Sequence, residues 1–204
     1  MTHRHLIILA NPAPASFDHA LAAAYEETVR AAGQDIAVRD LYAMGFDPLL
    51  KASERATTGP VKLAADVETE LAALDTADIL VLIYPIWFGA APAILKGYVD
   101  RVFGANYSYR DMYDRPGQVH LKGKRMLSIT TSGTPLGWLE ERGQVKALRT
   151  AFDVYLQRGF GLRDLGHVTI DAVIPNMSSN YAKQQIDRVR DVARQACQAL
   201  VSTE

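Results

Sequence analysis

Apolar residues follow two alternating patterns along the chain, and these patterns predict the order of its secondary structure. Short apolar runs of strand length predict five β-strands, at residues 6–10, 36–41, 79–84, 125–131 and 165–173. Apolar residues three and four positions apart predict a helix after each run. These predicted helices cover residues 17–32, 61–74, 92–103, 144–160 and 181–200.

The regular alternation predicts an α/β fold in which helices cover both faces of a parallel sheet, a three-layer arrangement. The run at 79–84 is apolar throughout, which is typical of a strand buried on both faces, whereas the run at 36–41 alternates and suits a sheet edge. In the third helix, Lys96, Asp100 and Arg101 fall mostly on the polar side. No linker divides the chain, so residues 1–204 are predicted to form one domain.

Composition narrows the class of protein. The 204 residues are 49% hydrophobic and 22% charged, with a formal net charge of -1. This near-neutral balance gives no electrostatic reason to expect nucleic acid or a membrane surface as a partner. No apolar run reaches the length of a membrane span, and the first residues lack a signal-peptide pattern, so a cytoplasmic protein without membrane insertion is expected.

Cysteine and histidine give no sign of a disulfide or a metal site. Cys197 is the one cysteine, and its place in a helical repeat favours a small core residue over a nucleophile. None of the five histidines stands with carboxylates at a metal-ligand spacing. His3 and His5 could contact a metal, but a frayed N-terminus is the favoured interpretation.

Three predicted strands end in unusual loops, at residues 11–16, 85–89 and 132–135. Because the carboxyl ends of parallel strands meet at one edge of the sheet, a ligand site is expected there. The loop after the third strand carries Trp87 and Phe88, which favours a ligand with a flat apolar ring. The alternative is that both aromatic side chains pack under the next helix.

The other two loops offer groups for polar contacts. Ser16 is a candidate N-cap, and free amides at the start of its helix can hold a phosphate, although an ordinary capped turn is about as consistent with this segment. The carboxylate of Asp18 would compete with that phosphate. Small residues at 132–135 let backbone amides approach a ligand, or form a simple turn. The long connection at 104–123 suggests a lid or a subunit contact and carries Tyr107, Tyr109 and Tyr113.

Several enzyme classes are disfavoured by missing motifs. The sequence has neither the GxGxxG dinucleotide fingerprint nor the P-loop pattern, which argues against a Rossmann dehydrogenase and a nucleoside triphosphatase. It also lacks the GxSxG elbow of esterases.

Three motifs, in order, resemble the NAD(P)H:quinone oxidoreductases of the DT-diaphorase type. The first is NPAPASF at 11–17, with RDLY at 39–42 and GFDP at 45–48. The second and strongest is YPIWFG at 84–89, with PAILKG at 92–97 and DRVF at 100–103. The third is SITTSG at 128–133, after which the similarity fades.

The resemblance implies a flavodoxin-like fold with sheet order 2-1-3-4-5, a homodimer and a tightly held flavin, FAD or FMN. Residues of the first loop would bind the ribityl phosphate and beyond: Asn11, Ser16, Phe17 and Asp18. The second would line the isoalloxazine ring with Pro85, Ile86, Trp87 and Phe88. The third would hydrogen-bond the ring edge through Thr130, Thr131, Ser132 and Gly133. Tyr107 and Tyr109 match paired tyrosines that close over the substrate near the subunit boundary.

The implied activity is reduction of quinones or similar acceptors, with NAD(P)H as hydride donor and ping-pong kinetics.

Two departures from the family pattern concern the site. Asn11 and Asp18 stand where many relatives have His and Asn. The segment at 137–144 has Trp138 near the position of a family tyrosine and no histidine, so that Arg142 or backbone amides would balance charge on the reduced ring.

Two other functions are compatible with the same fold. The first is a flavin-binding regulatory or ancillary subunit of a transport system, which would bind flavin but turn over little. The second is an electron-carrying flavodoxin, which is disfavoured because the chain has no strongly acidic docking surface.

Overall fold

A computed structural model of the protein describes residues 3–55, 61–114 and 117–201. Five parallel strands form one sheet in the order β2-β1-β3-β4-β5, as the resemblance predicted. The strands are β1 (Arg4–Leu9), β2 (Asp35–Asp40), β3 (Ile79–Pro85), β4 (Arg125–Thr131) and β5 (Arg163–Ile170). The alternating β2 lies at an edge and the wholly apolar β3 at the centre, so both patterns are confirmed.

Helices cover both faces of the sheet. One layer contains α1 (Phe17–Ala31) and α8 (Ser179–Val201), which pack on alternate residues of the strands such as Ile7, Val81 and Ile129. The other layer packs on Leu6, Leu80 and Leu82. It includes α2 (Ala65–Asp75), α3 (Ala93–Tyr98), α6 (Gln144–Leu148) and α7 (Tyr155–Phe160). The predicted three-layer arrangement is therefore confirmed.

Among the described residues, two helices contain π-helical segments, which have wider backbone turns. Val99–Phe103 continues α3, and Arg149–Val154 joins α6 to α7, so the predicted helix at 144–160 is continuous. Such segments are rare in proteins and are frequent at functional sites. Both lie on the same side of the sheet, next to the cavity described below.

Several predicted boundaries were wrong for identifiable reasons. The helix predicted at 61–74 begins four residues later, since Lys62 instead pairs its amide with the carbonyl of Ser53. The last strand ends at Ile170 rather than residue 173, because Ala172 has a positive φ of 50° that ends the extended backbone. Two short helices were not predicted, α4 (Tyr109–Asp114) and α5 (Leu136–Glu141).

Arg101, placed on the polar side of its helix by the sequence pattern, is buried at 1% exposure. Its guanidinium pairs with the carboxylates of Glu54 and Asp66 and donates to the carbonyl of Asp47. It also lies 5.2 Å from the ring centre of Phe46. This cluster joins the irregular segment after β2 to the layer that contains α3. The charge of Arg101 can be buried because it is paired with two carboxylates.

The N-terminal interpretation also needs correction at His5. This residue is buried within β1, where its ring bonds the Tyr25 hydroxyl and the Gln34 side chain, each at 2.9 Å, and is not frayed. Burial lowers the pKa of His5. Cys197 is buried on α8, and burial raises the pKa of its thiol, as suits the predicted core residue. In the described parts of the chain, no helix is long and apolar enough to cross a membrane.

Candidate active site

The three unusual loops meet at the carboxyl edge of the sheet, where they enclose an open cleft of about 220 Å³. The cleft lies beyond the ends of β1, β3 and β4. Ten of the twelve residues predicted to bind the cofactor line it: Asn11, Ser16, Phe17, Asp18, Pro85, Ile86, Trp87, Thr131, Ser132 and Gly133. Val173, which the sequence did not suggest, completes the lining.

Asp18 ties two of these loops together from within the protein. Its carboxylate accepts hydrogen bonds from the Asn11 amide and the Thr131 hydroxyl, each at 2.7 Å, and it is 1% exposed. Burial raises the pKa of Asp18, and the two hydrogen bonds oppose that rise. The carboxylate therefore holds the end of β4 against the loop that follows β1.

Ser16 caps the N-terminus of α1 and is also the first residue in a chain of side-chain contacts. It accepts from the His19 amide at 3.4 Å, which confirms the predicted N-cap. Its Oγ lies 2.7 Å from Nδ1 of His19, and Nε2 of His19 lies 3.0 Å from a carboxylate oxygen of Asp40, at the end of β2. Sequence reasoning missed His19 and Asp40, although the Ser-x-x-His spacing in a first helical turn could have indicated the first contact.

Backbone amides at the start of α1 can donate hydrogen bonds to a ligand. Within the described ranges, no acceptor bonds the backbone amides of Phe17 and Asp18, the first two residues of the helix. Such amides point toward the helix entrance and favour an anion there. Together with the Ser16 hydroxyl they provide a donor set that fits a phosphate, although the neighbouring Asp18 carboxyl opposes it when charged.

The loop after β3 presents aromatic rings to the outside. Trp87 and Ala90 exchange two backbone hydrogen bonds, at 3.0 and 3.1 Å, and form a tight turn. Phe88 at the tip has a positive φ of 50° and is fully exposed, at 109%, while Trp87 is 41% exposed. Phe88 therefore does not pack under the next helix, and the pair is available to a flat apolar ligand.

Two predicted cofactor residues, Phe88 and Thr130, do not line the cleft. Phe88 lies at the loop tip. The Thr130 hydroxyl lies 2.8 Å from Nε2 of His167, and Nδ1 of that histidine pairs with the buried carboxylate of Asp153. Successive side chains of a strand point to opposite faces of the sheet. Thr130 therefore faces the layer that contains α6 and α7, and Thr131 faces α1.

Tyr107 and Tyr109 lie at a second, larger cavity of about 800 Å³ and do not line the cleft of their own chain. The Tyr107 hydroxyl donates to the Gly159 carbonyl at 2.8 Å and accepts from the Gly117 amide at 2.9 Å. Tyr109 lies on α4 and is 77% exposed. Both π-helical segments contribute to the wall of this cavity.

The region that departs from the family pattern forms α5 and the turn after it. The Arg142 guanidinium stacks on the ring of Trp138, 4.1 Å from its centre. Neither residue lines the cleft. Across the described ranges, no cluster of three histidine, cysteine or acidic side chains could hold a metal ion.

Comparison with known proteins gives one family and several relatives. The family described as a flavodoxin-like fold matches residues 3–196. An NAD(P)H dehydrogenase [quinone] 1 from Cavia porcellus is 40% identical over 153 residues, which are 64% of this chain and 54% of that protein. The aligned part thus spans about half of that relative's length.

Two further proteins are similar over more of their length. An uncharacterized NAD(P)H oxidoreductase from Haemophilus influenzae is 34% identical over 145 residues, 71% of either chain. The solved structure of an NAD(P)H:quinone oxidoreductase from Methanothermobacter marburgensis superposes with a TM-score of 0.82 at 24% identity, covering 96% of this chain and 98% of that one. This chain therefore belongs to the family of flavodoxin-like fold, with homologues among the NAD(P)H:quinone oxidoreductases, as its three motifs predicted.

Proposed function

We propose that the protein is a flavin-dependent NAD(P)H oxidoreductase that reduces quinones or similar acceptors. The observation that supports this most directly is the meeting of the three motif loops around one cleft at the carboxyl edge of the sheet. The names of the relatives point to the same reaction. A bound flavin would supply the redox chemistry, the transfer of a hydride from NAD(P)H to the acceptor.

The protein contributes binding and orientation. In this proposal the first loop holds the ribityl phosphate through Ser16 and the free amides of α1, with Asn11 and Asp18 as supports. Pro85, Ile86, Trp87 and Phe88 would lie against the ring system. The loop after β4 would hold the ring edge with Thr131, Ser132 and Gly133, and Thr130, whose hydroxyl contacts His167, would act only through its backbone. FAD and FMN share the part that this cleft would contact.

A second copy of the chain would complete the site. The cleft is open and smaller than the roughly 300–1,000 Å³ of typical cofactor pockets. The exposed rings of Tyr109 and Tyr155 line the larger cavity and do not line the cleft of their own chain. We infer a homodimer in which Tyr107 and Tyr109 of one chain contact the acceptor bound by the other. Cytoplasmic location stays a prediction.

A quinone reductase assay with a matched pair of variants tests the proposal. Trp87→Ala is expected to lower kcat/KM for a soluble quinone about fivefold, because a stacked ring contact contributes roughly 1 kcal/mol beyond burial. Val119→Ala removes another exposed apolar side chain, at 84% exposure and outside both cavities, and is expected to leave kcat/KM unchanged. Equal rates in both variants, or no NAD(P)H-dependent reduction at all, would overturn the proposal.

A further inference from the structure

His19 uses both ring nitrogens within the protein. Nε2 lies 3.0 Å from the Asp40 carboxylate, and Nδ1 lies 2.7 Å from the Ser16 hydroxyl. A carboxylate only accepts hydrogen bonds, so Nε2 carries a proton and donates to Asp40. The Asp40 carboxylate is itself fixed, since its other oxygen accepts from the amides of Tyr42 and Ala43.

The protonation state of Nδ1 then decides what Ser16 can do. When the ring is neutral, Nδ1 has only a lone pair, and the Ser16 hydroxyl must donate its proton to it. When the ring is a cation, Nδ1 donates to Ser16 Oγ, and the hydroxyl proton is free to point elsewhere. Ser16 lines the cleft, so protonation of His19 converts Ser16 from an acceptor into a donor toward that space.

A phosphate oxygen in the cleft accepts hydrogen bonds and needs such a donor. We propose that His19, oriented by Asp40, is a positioning residue for the cofactor phosphate nearest the ribityl chain, and that binding of this phosphate takes up one proton from solvent at His19. The proton adds to Nδ1 and forms an N–H bond there, the Ser16 hydroxyl turns its own proton to the phosphate, and no bond between heavy atoms forms or breaks. The inference rests on the flavin-binding function proposed above.

Two carboxylates interact with His19. Asp40 at the end of β2 pairs with Nε2, and Asp18 on α1 has an electrostatic interaction with the ring. Side-chain exposures of 21% for His19 and 23% for Asp40 keep the pair partly shielded from water. A cation at this position also offsets the repulsion between a charged Asp18 and the phosphate.

Flavin titrations with and without a phosphate test the proposal. The flavin-free protein is titrated with FMN and with riboflavin between pH 5.5 and 8.5, followed by flavin fluorescence. Since a charge-assisted hydrogen bond is about twice as strong as a neutral one, we expect FMN affinity to fall about tenfold as His19 loses its proton. Riboflavin has no phosphate, so its affinity should not change with the protonation of His19.

Variants separate this role from a structural one. His19→Gln is expected to bind FMN about tenfold more weakly at pH 6 and to lose the fall with pH, while its riboflavin affinity stays that of the parent protein. Asp40→Asn should also weaken FMN binding at pH 6 and leave riboflavin binding unchanged, because the imidazolium loses its charged partner. His120→Gln is the control, since His120 pairs with Asp75 away from the cleft.

The phosphate of FMN titrates near pH 6, and this effect has the opposite sign, because the dianion binds more tightly. It persists in His19→Gln and can be subtracted. The proposal is wrong if His19→Gln leaves FMN affinity and its pH dependence unchanged, or if it weakens FMN and riboflavin equally. If neither flavin binds the parent protein, it is the proposed function that fails.

Discussion

Asp18 is a carboxyl group whose buried position disfavours its charged form. It is buried between Asn11 and Thr131, which both donate to it, and burial still raises its pKa. A carboxyl group with a raised pKa in the folded protein lowers stability as pH rises from its unfolded value, near 3.8, through its folded value. At pH values above that window Asp18 is charged in the folded and in the unfolded protein, and its burial lowers the free energy of unfolding by the full amount.

Asp18→Asn is therefore expected to raise the free energy of unfolding at pH 7.5, because the amide is neutral and avoids the cost of burying a charge. The amide can accept from Asn11 and donate to the Thr131 hydroxyl. The advantage should shrink as pH falls toward 4. Urea unfolding at pH 4.5 and pH 7.5 measures it, and a variant that is less stable at pH 7.5 would show that the carboxylate itself is needed.

Phe88 is an aromatic residue with no structural reason for its position. It is fully exposed at a positive φ, a conformation that costs a side chain about 1 kcal/mol. Phe88→Gly is expected to change the free energy of unfolding by less than about 1 kcal/mol, because relief of strain offsets the added freedom of the unfolded chain. Quinone kcat/KM should nevertheless fall about tenfold.

The buried ring of Phe103 provides the comparison. Phe103→Ala is expected to cost about 3–5 kcal/mol of stability, because it empties a core position at 0% exposure. Full activity in Phe88→Gly, measured alongside its denaturation curve, would contradict a ligand role for the exposed ring.

At the scale of elements, the buried Arg101 joins a helix to a segment without regular structure. Glu54 is itself 3% exposed, so its charge depends on this arginine. The arginine also keeps the pKa of Glu54 and of Asp66 below the usual range. The segment it fastens includes Leu50 and Arg55, which line the larger cavity.

Arg101→Ala is expected to lower the free energy of unfolding by about 3–5 kcal/mol, because it leaves a buried carboxylate unpaired. Arg158→Ala, at an exposed position of α7, should change it by less than about 0.5 kcal/mol. Thermal and urea denaturation compare the two variants directly. If both arginines proved equally dispensable, the cluster would not be what holds the segment in place.

Elements with strong periodicity were predictable from the sequence, and the exceptions have physical causes. The apolar run of β3 and the spacing in α1 and α8 report burial directly, so their positions were predicted well. Arg101 was misplaced because charge suggests solvent, while its burial depends on residues 35 and 47 positions away. The contact between His19 and Asp40 also joins residues that only the fold brings together.

The three loops of the site were predictable for a different reason. Each follows a strand, and parallel strands bring their carboxyl ends to one edge, so sequence order alone places the loops together. Side-chain direction within them depends on register, which is why Thr130 turned away from the cleft while Thr131 faces it.

At the scale of the whole molecule, three exposed tyrosines lie on α4 or beside the larger cavity. Tyr109 and Tyr155 are 77% and 55% exposed beside the larger cavity, and Tyr113 on the same short helix α4 is 87% exposed. Exposed aromatic patches with polar rims are typical of protein interfaces. A dimer that covers this face would account for these exposed residues, which do not line the cleft of their own chain.

Light scattering after size exclusion is expected to give twice the 22.4 kDa of one chain. Tyr155→Glu places a charge in the inferred interface and should shift the population toward the monomer, whereas Val119→Glu should not. A parent protein that stays monomeric at micromolar concentration would rule out the inferred dimer, and the acceptor site would then have to form within one chain.

The most direct test of the central claim is the absorption spectrum of the purified protein, followed by addition of NADPH without oxygen. A flavin spectrum should be present or appear on titration with FMN or FAD, bleach with NADPH, and recover when a quinone is added. A flavin spectrum that NADPH does not bleach would contradict the oxidoreductase. A protein that binds no flavin would mean that the cleft formed by the three loops serves another ligand.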